Sequence, residues 1–210
     1  MNLFSFDKSF YNRDVNLIAG VDESGRGPLA GPITAAAVVL PRDFMVYALN
    51  DSKQLSEKKR DILFELIKKK ALFYAVEVID NKIIDKVNIL QATFLAMFYA
   101  VAKLKIRPDL CLIDGNRKVP GLFCDQEVIV GGDSKSASIA AASILAKVSR
   151  DKIMLEYSKL YPIYDFEKHK GYGTKKHVEI LKKYGACPIH RITFCPVSNV
   201  ISHLRFDINY

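Results

Sequence analysis

No run of apolar residues in this 210-residue chain is long enough to cross a bilayer. The longest, 89–102, is broken by Gln91 and Thr93. A membrane helix needs about twenty apolar residues, so a buried helix is expected there and no membrane partner. The first sixteen residues carry Asp7, Lys8, Arg13 and Asp14 and lack the apolar segment of an export signal. Cysteine is scarce: Cys111, Cys124, Cys187 and Cys195, none in a Cys-x-x-Cys pair. The four histidines show no spacing that would complete a zinc site with them. The thiols therefore read as reduced, in a cytoplasmic protein, and Cys111, inside an apolar run, reads as plain core. There is no repeat, no low-complexity tract and no linker rich in Pro, Gly or Ser.

Several catalytic signatures are missing too. Gly25-Arg26-Gly27-Pro28 follows an apolar run, but no Gly-Lys-Ser/Thr completes a Walker loop. Gly25, Gly27 and Gly31 do not fit the dinucleotide pattern G-x-G-x-x-G. Ser56 and Lys59 match S-x-x-K without its companions K-T-G and S-D-N, and no G-x-S-x-G exists, so serine nucleophile chemistry has no support.

What is present is the composition of a globular protein, 50% apolar and 26% charged. The net charge is +8, unevenly placed. Residues 135–210 hold 13 Lys/Arg against 6 Asp/Glu, whereas residues 1–134 hold 18 against 17. A basic last third favours a polyanionic partner through counterion release, though a solvated lysine-rich surface has the same composition.

Periodicity gives the elements. Leu17–Asp22 and Ile33–Leu40 read as buried strands joined by a tight, glycine-rich turn, an antiparallel start. Ser56 caps a helix in which Ile62, Leu63, Leu66 and Ile67 recur at helical spacing up to Lys70. Strands are expected at 72–79, 110–113 and 126–130, with helices from about 88 to 103, from 137 to 160, and over 174–184, the last basic and exposed. Strands first, then strands alternating with helices, predict an α/β fold with a mixed sheet. One domain is expected: an α/β core over about 17–160 and a basic helical part over about 161–210 packed on it.

Acids recur where these strands end. Asp22 and Glu23 close the first strand, Asp114 closes the short run Cys111–Ile113, and Asp133 follows Gly131-Gly132 before the long helix. Enzymes that cut phosphodiesters often hold two divalent cations between carboxylates brought from different elements, and sites in α/β sheets gather at strand ends. Each acid also has a plain structural reading, in turn chemistry or as a helix cap for Asp133. Neighbours on a strand point to opposite faces, so Asp22 and Glu23 share a site only if the chain bends, which Gly25 and Gly27 permit. The tract His169-Lys170-Gly171-Tyr172-Gly173-Thr174 interleaves cations and a ring, a pattern suited to nucleic acid and equally found in ordinary loops. Asp51-Ser52-Lys53 and His190-Arg191 are similar weak signals.

Together these segments resemble ribonuclease HII, the type 2 ribonuclease H family. The resemblance spans about residues 17–197 and rests on IAGVDESGRGPLAGP, NDSKQLSEKKR, NILQAT, LIDGN, GGDSKSASIAAASILAKVSRD, HKGYGT and HRITFCPV, in that order. It implies the ribonuclease H-like fold, a mixed central sheet flanked by helices with a C-terminal helical extension. It implies an endoribonuclease that cleaves the RNA strand of RNA–DNA hybrids and nicks duplex DNA 5′ of a single embedded ribonucleotide, with Mn²⁺ or Mg²⁺, leaving 3′-hydroxyl and 5′-phosphate ends. The family's four catalytic, metal-binding acids fall on Asp22, Glu23, Asp114 and Asp133. Its glycine-arginine-glycine element falls on Gly25, Arg26 and Gly27, facing the ribose 2′-hydroxyl and junction phosphates. Tyr172 would stack on the deoxyribose that follows, and Lys53 and Lys170 would meet phosphates. Ser24, where many relatives carry an apolar residue, and Thr193, where serine is usual, depart from the pattern. The segment 198–210 matches nothing assignable, the short N-terminal stretch disfavours the sister ribonuclease HIII, and a monomer suffices. The alternatives are another ribonuclease H-like nuclease, such as a junction resolvase, or a non-catalytic nucleic-acid-binding module.

Overall fold

A computed structural model describes residues 2–46, 49 and 55–206. Its five strands are β1 (Ile18–Ser24), β2 (Ile33–Val39), β3 (Phe73–Ile79), β4 (Leu110–Asp114) and β5 (Asp125–Ile129). They form one sheet in the order β3-β2-β1-β4-β5. β2 is antiparallel to both β1 and β3, while β4 is parallel to β1 and β5. This is the mixed sheet expected, with each strand within a residue or two of its expected bounds.

Helices cover both faces. α1 (Leu3–Lys8), α2 (Glu57–Lys70) and α5 (Ala137–Leu160) lie on one; α3 (Asn81–Val87) and α4 (Ile89–Ala102) lie on the other. Beyond them follow α6 (Phe166–His169), α7 (Lys175–Tyr184) and α8 (Val197–Phe206). The period-two alternation of β1 decides which residue meets which helix. Ile18 packs with Ile139 of α5, whereas Ala19 and Val21 pack with α4. Gly20 faces α5 so closely that an added Cβ would sit 2.0 Å from the Ser138 carbonyl carbon. That contact explains the small residues of α5: Ala137, Ala140, Ala141 and Ala142 are fully buried and let the helix approach the sheet. The Thr34 hydroxyl ties β2 to the same helix, donating to the Ala146 carbonyl at 2.9 Å.

The caps follow the sequence. Ser56 accepts from the Lys59 amide at the start of α2, and Ser136 accepts from the Ile139 amide at the start of α5. Asp133 is thus not the cap of the long helix; it sits in a single 3₁₀ turn, 132–134, just before it. α1, α3, α6 and α8 were not individually expected. α3 is one short helix capped by Asp80, and Asn88, at φ +70°, ends it and caps α4. α7 is basic as expected but not simply exposed: its Lys175, Lys176, Lys182 and Lys183 face solvent, while His177 and Leu181 are buried. No helix among the described residues is long and apolar enough to cross a membrane.

Candidate metal centre and nucleic-acid cleft

Asp22 and Glu23 lie at the end of β1, and Asp114 is the last residue of β4. Because the two strands run parallel, with Val21 opposite Ile113, their carboxylates emerge at the same edge of the sheet. One oxygen from each of the three lies within 4.8 Å of the others. The expected bend between Asp22 and Glu23 is not there: β1 stays paired with β2 through Ser24, with Asp22 opposite Ala36 and Glu23 opposite Ala35. The pairing of β1 with β4 ends one residue earlier, at Val21 and Ile113, and the chain turns only at Gly25, φ +103°. Asp22 Oδ1 accepts from the Glu23 amide at 2.7 Å, and Asp114 Oδ1 accepts from the Gly132 amide at 2.6 Å.

Burial, with Glu23 and Asp114 alongside, drives the Asp22 carboxyl well above the usual carboxylate range, and the Ser143 hydroxyl of α5 pulls weakly the other way. Burial also raises Glu23; Arg26, 3.4 Å from its Oε1, opposes the rise, and Asp114 adds to it. Three desolvated carboxylates sharing one small space repel one another unless protons or a cation intervene. Their donor set is all oxygen, which suits a hard divalent ion. Asp22, Glu23 and Asp114 therefore fit a metal. Asp133, 5% exposed, stands outside this group of three, but the loop that carries it also carries Gly132, the donor to Asp114.

The acids open into a cleft of about 410 Å³ that the glycine loop and Tyr172 also line. Gly25 is buried against Arg150, whose Nε would lie 2.2 Å from an added Cβ. Arg26 and Gly27 are exposed, and an added Cβ on Gly27 would sit 3.6 Å from Tyr172 Cε1. Two buried guanidinium groups hold this loop. Arg191 donates to the carbonyls of Gly25, Arg26, Gly31 and Pro32 at 2.6, 3.0, 3.0 and 3.1 Å. Arg150 donates to those of Pro32, Lys170 and Ala30. The C=O and N–H of a trans peptide point in opposite directions. With the Gly25 and Arg26 carbonyls turned to Arg191, the amides of Arg26 and Gly27 point away from it, leaving two fixed donors on the outer side of the loop.

Tyr172 is 44% exposed, and its backbone is anchored behind. The Tyr172 carbonyl accepts from His177 Nδ1 at 2.9 Å, and His177 Nε2 lies 3.0 Å from His190 Nε2. His190 Nδ1 accepts from the Cys187 amide at 2.9 Å. Burial pushes both rings down to about 4, which keeps them neutral at pH 7. His169, His177 and His190, three of the four histidines without zinc spacing, are thus structural partners of the aromatic loop, with His169 stacked on His177 at 4.4 Å. Lys170 adopts φ +49° and donates through Nζ to the Glu167 carbonyl. It lines a shallow groove next to the cleft together with Arg60, Lys147 and Tyr172. Lys53 lies outside the described residues. Sequence reasoning missed Ser143, Arg60 and Lys147, which line the cleft, and the two buried arginines. His190-Arg191 reads in the sequence as a weak basic signal and as the start of the motif HRITFCPV, neither of which shows the anchoring role of Arg191, and Ser143 lies in a run of small residues that gives it no mark of its own.

The family model described as Ribonuclease HII matches residues 19–197. The ribonuclease HII of Endomicrobium trichonymphae is 69% identical over 207 residues, 99% of each chain. That of Caldicellulosiruptor bescii is 54% identical over 201 residues, 96% of each. Among solved structures, the crystal structure of the ribonuclease H2 from Pyrococcus horikoshii OT3 superposes with a TM-score of 0.76 at 28% identity, covering 90% of this chain and 99% of that one.

Proposed function

The chain belongs to the ribonuclease HII family of metal-dependent endoribonucleases acting on nucleic-acid hybrids, and from that premise we propose that it cleaves the RNA strand of RNA–DNA hybrids and nicks duplex DNA on the 5′ side of a single embedded ribonucleotide. The observation that carries this reading is the sharing of one cleft by Asp22, Glu23 and Asp114 with the Gly25–Gly27 loop and the ring of Tyr172. In this reading Asp22, Glu23 and Asp114 hold Mn²⁺ or Mg²⁺, and Asp133 completes the site from the adjoining loop. When bound, the cation supplies an activated water and offsets the charge gathering on the leaving oxygen, giving 3′-hydroxyl and 5′-phosphate ends.

The chain's own groups explain selectivity. Only the 2′-hydroxyl distinguishes a ribonucleotide at one position. The outward amides of Arg26 and Gly27 are fixed donors for it and for the neighbouring phosphates, and Gly27 carries no side chain to block the approach. The ring of Tyr172, beside Gly27, stacks on the next sugar and disfavours a ribose there. Arg26, Lys170 and Lys53 meet phosphates, and the basic part beyond residue 160 forms, with the core, one domain around the duplex. The enzyme works as a monomer in the cytoplasm.

The test is gel analysis of duplex DNA carrying one ribonucleotide, incubated with and without Mg²⁺ or Mn²⁺, beside an all-DNA duplex and a four-way junction. Metal-dependent nicking 5′ of the ribonucleotide alone is the expected result. Cutting of the four-way junction in its place, or binding with no cutting at any metal concentration, would refute it.

A further inference from the structure

Cys111 and Cys124 stand apart from the cleft, and their sulfurs lie 3.2 Å apart. Cys111 is on β4; Cys124 is the residue just before β5. In the parallel register Cys111 faces Gln126, so Cys124, two residues earlier, projects to the same face as Cys111. Cys111 is fully buried against the apolar face that packs on α4, whereas Cys124 is partly open to solvent. Arg107 is a neighbour: its guanidinium lies over the Phe123 ring and donates to the Phe123 carbonyl.

A redox-sensitive thiol is one with a stabilised thiolate, solvent access and a second thiol ready to resolve it. Cys124 has all three. The hydrogen bond shared with Cys111, with Arg107 adding, holds its thiol below the usual range, while that same hydrogen bond and burial push Cys111 up.

We propose that Cys124 and Cys111 form a reversible intramolecular disulfide when the protein meets hydrogen peroxide, with Cys124 as the attacking and Cys111 as the resolving thiol. The Cys124 thiolate attacks one peroxide oxygen, the O–O bond breaks, and hydroxide leaves. The sulfur is oxidised to a sulfenic acid while the peroxide is reduced. Cys111 sulfur then attacks the sulfenic sulfur, the S–O bond breaks, and the departing hydroxide takes the Cys111 proton as water. Two thiols and one peroxide become one disulfide and two waters. The bond staples β4 to the start of β5 and closes a loop that contains Asp114.

The full chain is treated with a small excess of hydrogen peroxide, then studied by intact mass, peptide mapping and thermal melting. The parent should lose two hydrogens, yield a linked peptide pair joining Cys111 to Cys124, melt several degrees higher, and revert with dithiothreitol. Cys124→Ser should give no linked pair, and Cys111→Ser should leave a sulfenic acid at Cys124 that dimedone traps. The proposal is overturned if Cys124 stays a thiol, if it proceeds to sulfinic acid in the parent without linking, or if Cys111 can still be alkylated after oxidation and denaturation.

Discussion

Arg191 Nη2 donates to the Gly25 carbonyl at 2.6 Å, joining the C-terminal part of the chain to a loop 166 residues earlier. The guanidinium is fully buried, and its hydrogen bonds run to four backbone carbonyls. Among the described residues no carboxylate lies within ion-pair distance of it. Arg191→Lys keeps the charge but cannot span those carbonyls. It should lower stability by roughly 3 kcal/mol, because it strands a buried cation and several acceptors. Urea denaturation measures the loss. Cleavage should fall further than the folded fraction does, since the Arg26 and Gly27 amides lose their fixed direction.

Two glycines in that loop should respond oppositely. Gly25 has φ +103°, and an added Cβ would lie 2.2 Å from Arg150 Nε and 2.8 Å from the Pro32 carbonyl oxygen. Gly25→Ala should cost roughly 3 kcal/mol through backbone strain and overpacking. Gly27 meets only Tyr172, at 3.6 Å. Gly27→Ala should fold with stability unchanged to within about 0.5 kcal/mol, yet raise KM for a ribonucleotide-containing duplex. Equal melting curves with unequal KM values are the expected pair of results.

In the proposed reading the ring of Tyr172, not its hydroxyl, makes the stacking contact. Tyr172→Phe should keep the preference for an RNA-to-DNA junction over a continuous hybrid, and Tyr172→Ala should reduce it by about tenfold, the worth of one stacking contact of roughly 1–3 kcal/mol. The ratio of kcat/KM on the two substrates measures it. An undiminished ratio in Tyr172→Ala removes the ring from the selectivity argument.

These residues also mark how far the sequence could be read. The strand ends were legible because apolar runs stop at Asp22, Asp114 and Gly131-Gly132, and burial makes such boundaries sharp. The approach of α5 was legible in Ala140–Ala142. Short helices were not: α1 and α3 have too few turns to show a period, and their caps, Asn2 and Asp80, resemble ordinary turn residues. The buried arginines and the paired histidines were not legible either. Composition assigns such residues to the surface, and only the fold places His177 against His190, thirteen residues on, or Arg150 under Gly25.

The acid cluster gives metal-free stability a definite pH dependence. Asp22 and Glu23 have raised values when folded, so the native state binds protons that the unfolded chain has released. Stability then falls as pH rises from the ordinary carboxylate range, near 4, through the raised values. His177 and His190, lowered to about 4, act in the opposite sense: their neutral packing is lost as pH falls from 6.5 toward 4. Asp22→Asn separates the two, since it removes the larger acid contribution and leaves the rings. In chelator, the parent's stability relative to Asp22→Asn should decline with rising pH, as read from urea midpoints at a series of pH values.

The same substitution tests whether the carboxylates are held together for a cation. Without metal, Asp22→Asn removes the buried member of three crowded carboxyl groups, so the variant should be more stable than the parent at pH 7, by about 1 kcal/mol. Adding Mg²⁺ or Mn²⁺ should raise the parent's melting temperature in proportion to binding, and that rise should shrink or vanish in Asp22→Asn and Asp114→Asn. Cleavage should be lost in both while hybrid binding survives, because the Gly25–Gly27 loop and Tyr172 are untouched. A residue that merely filled space would give the reverse pattern: a less stable protein whose response to metal is intact. Differential scanning fluorimetry over a metal titration, paired with a binding assay in chelator, distinguishes the two.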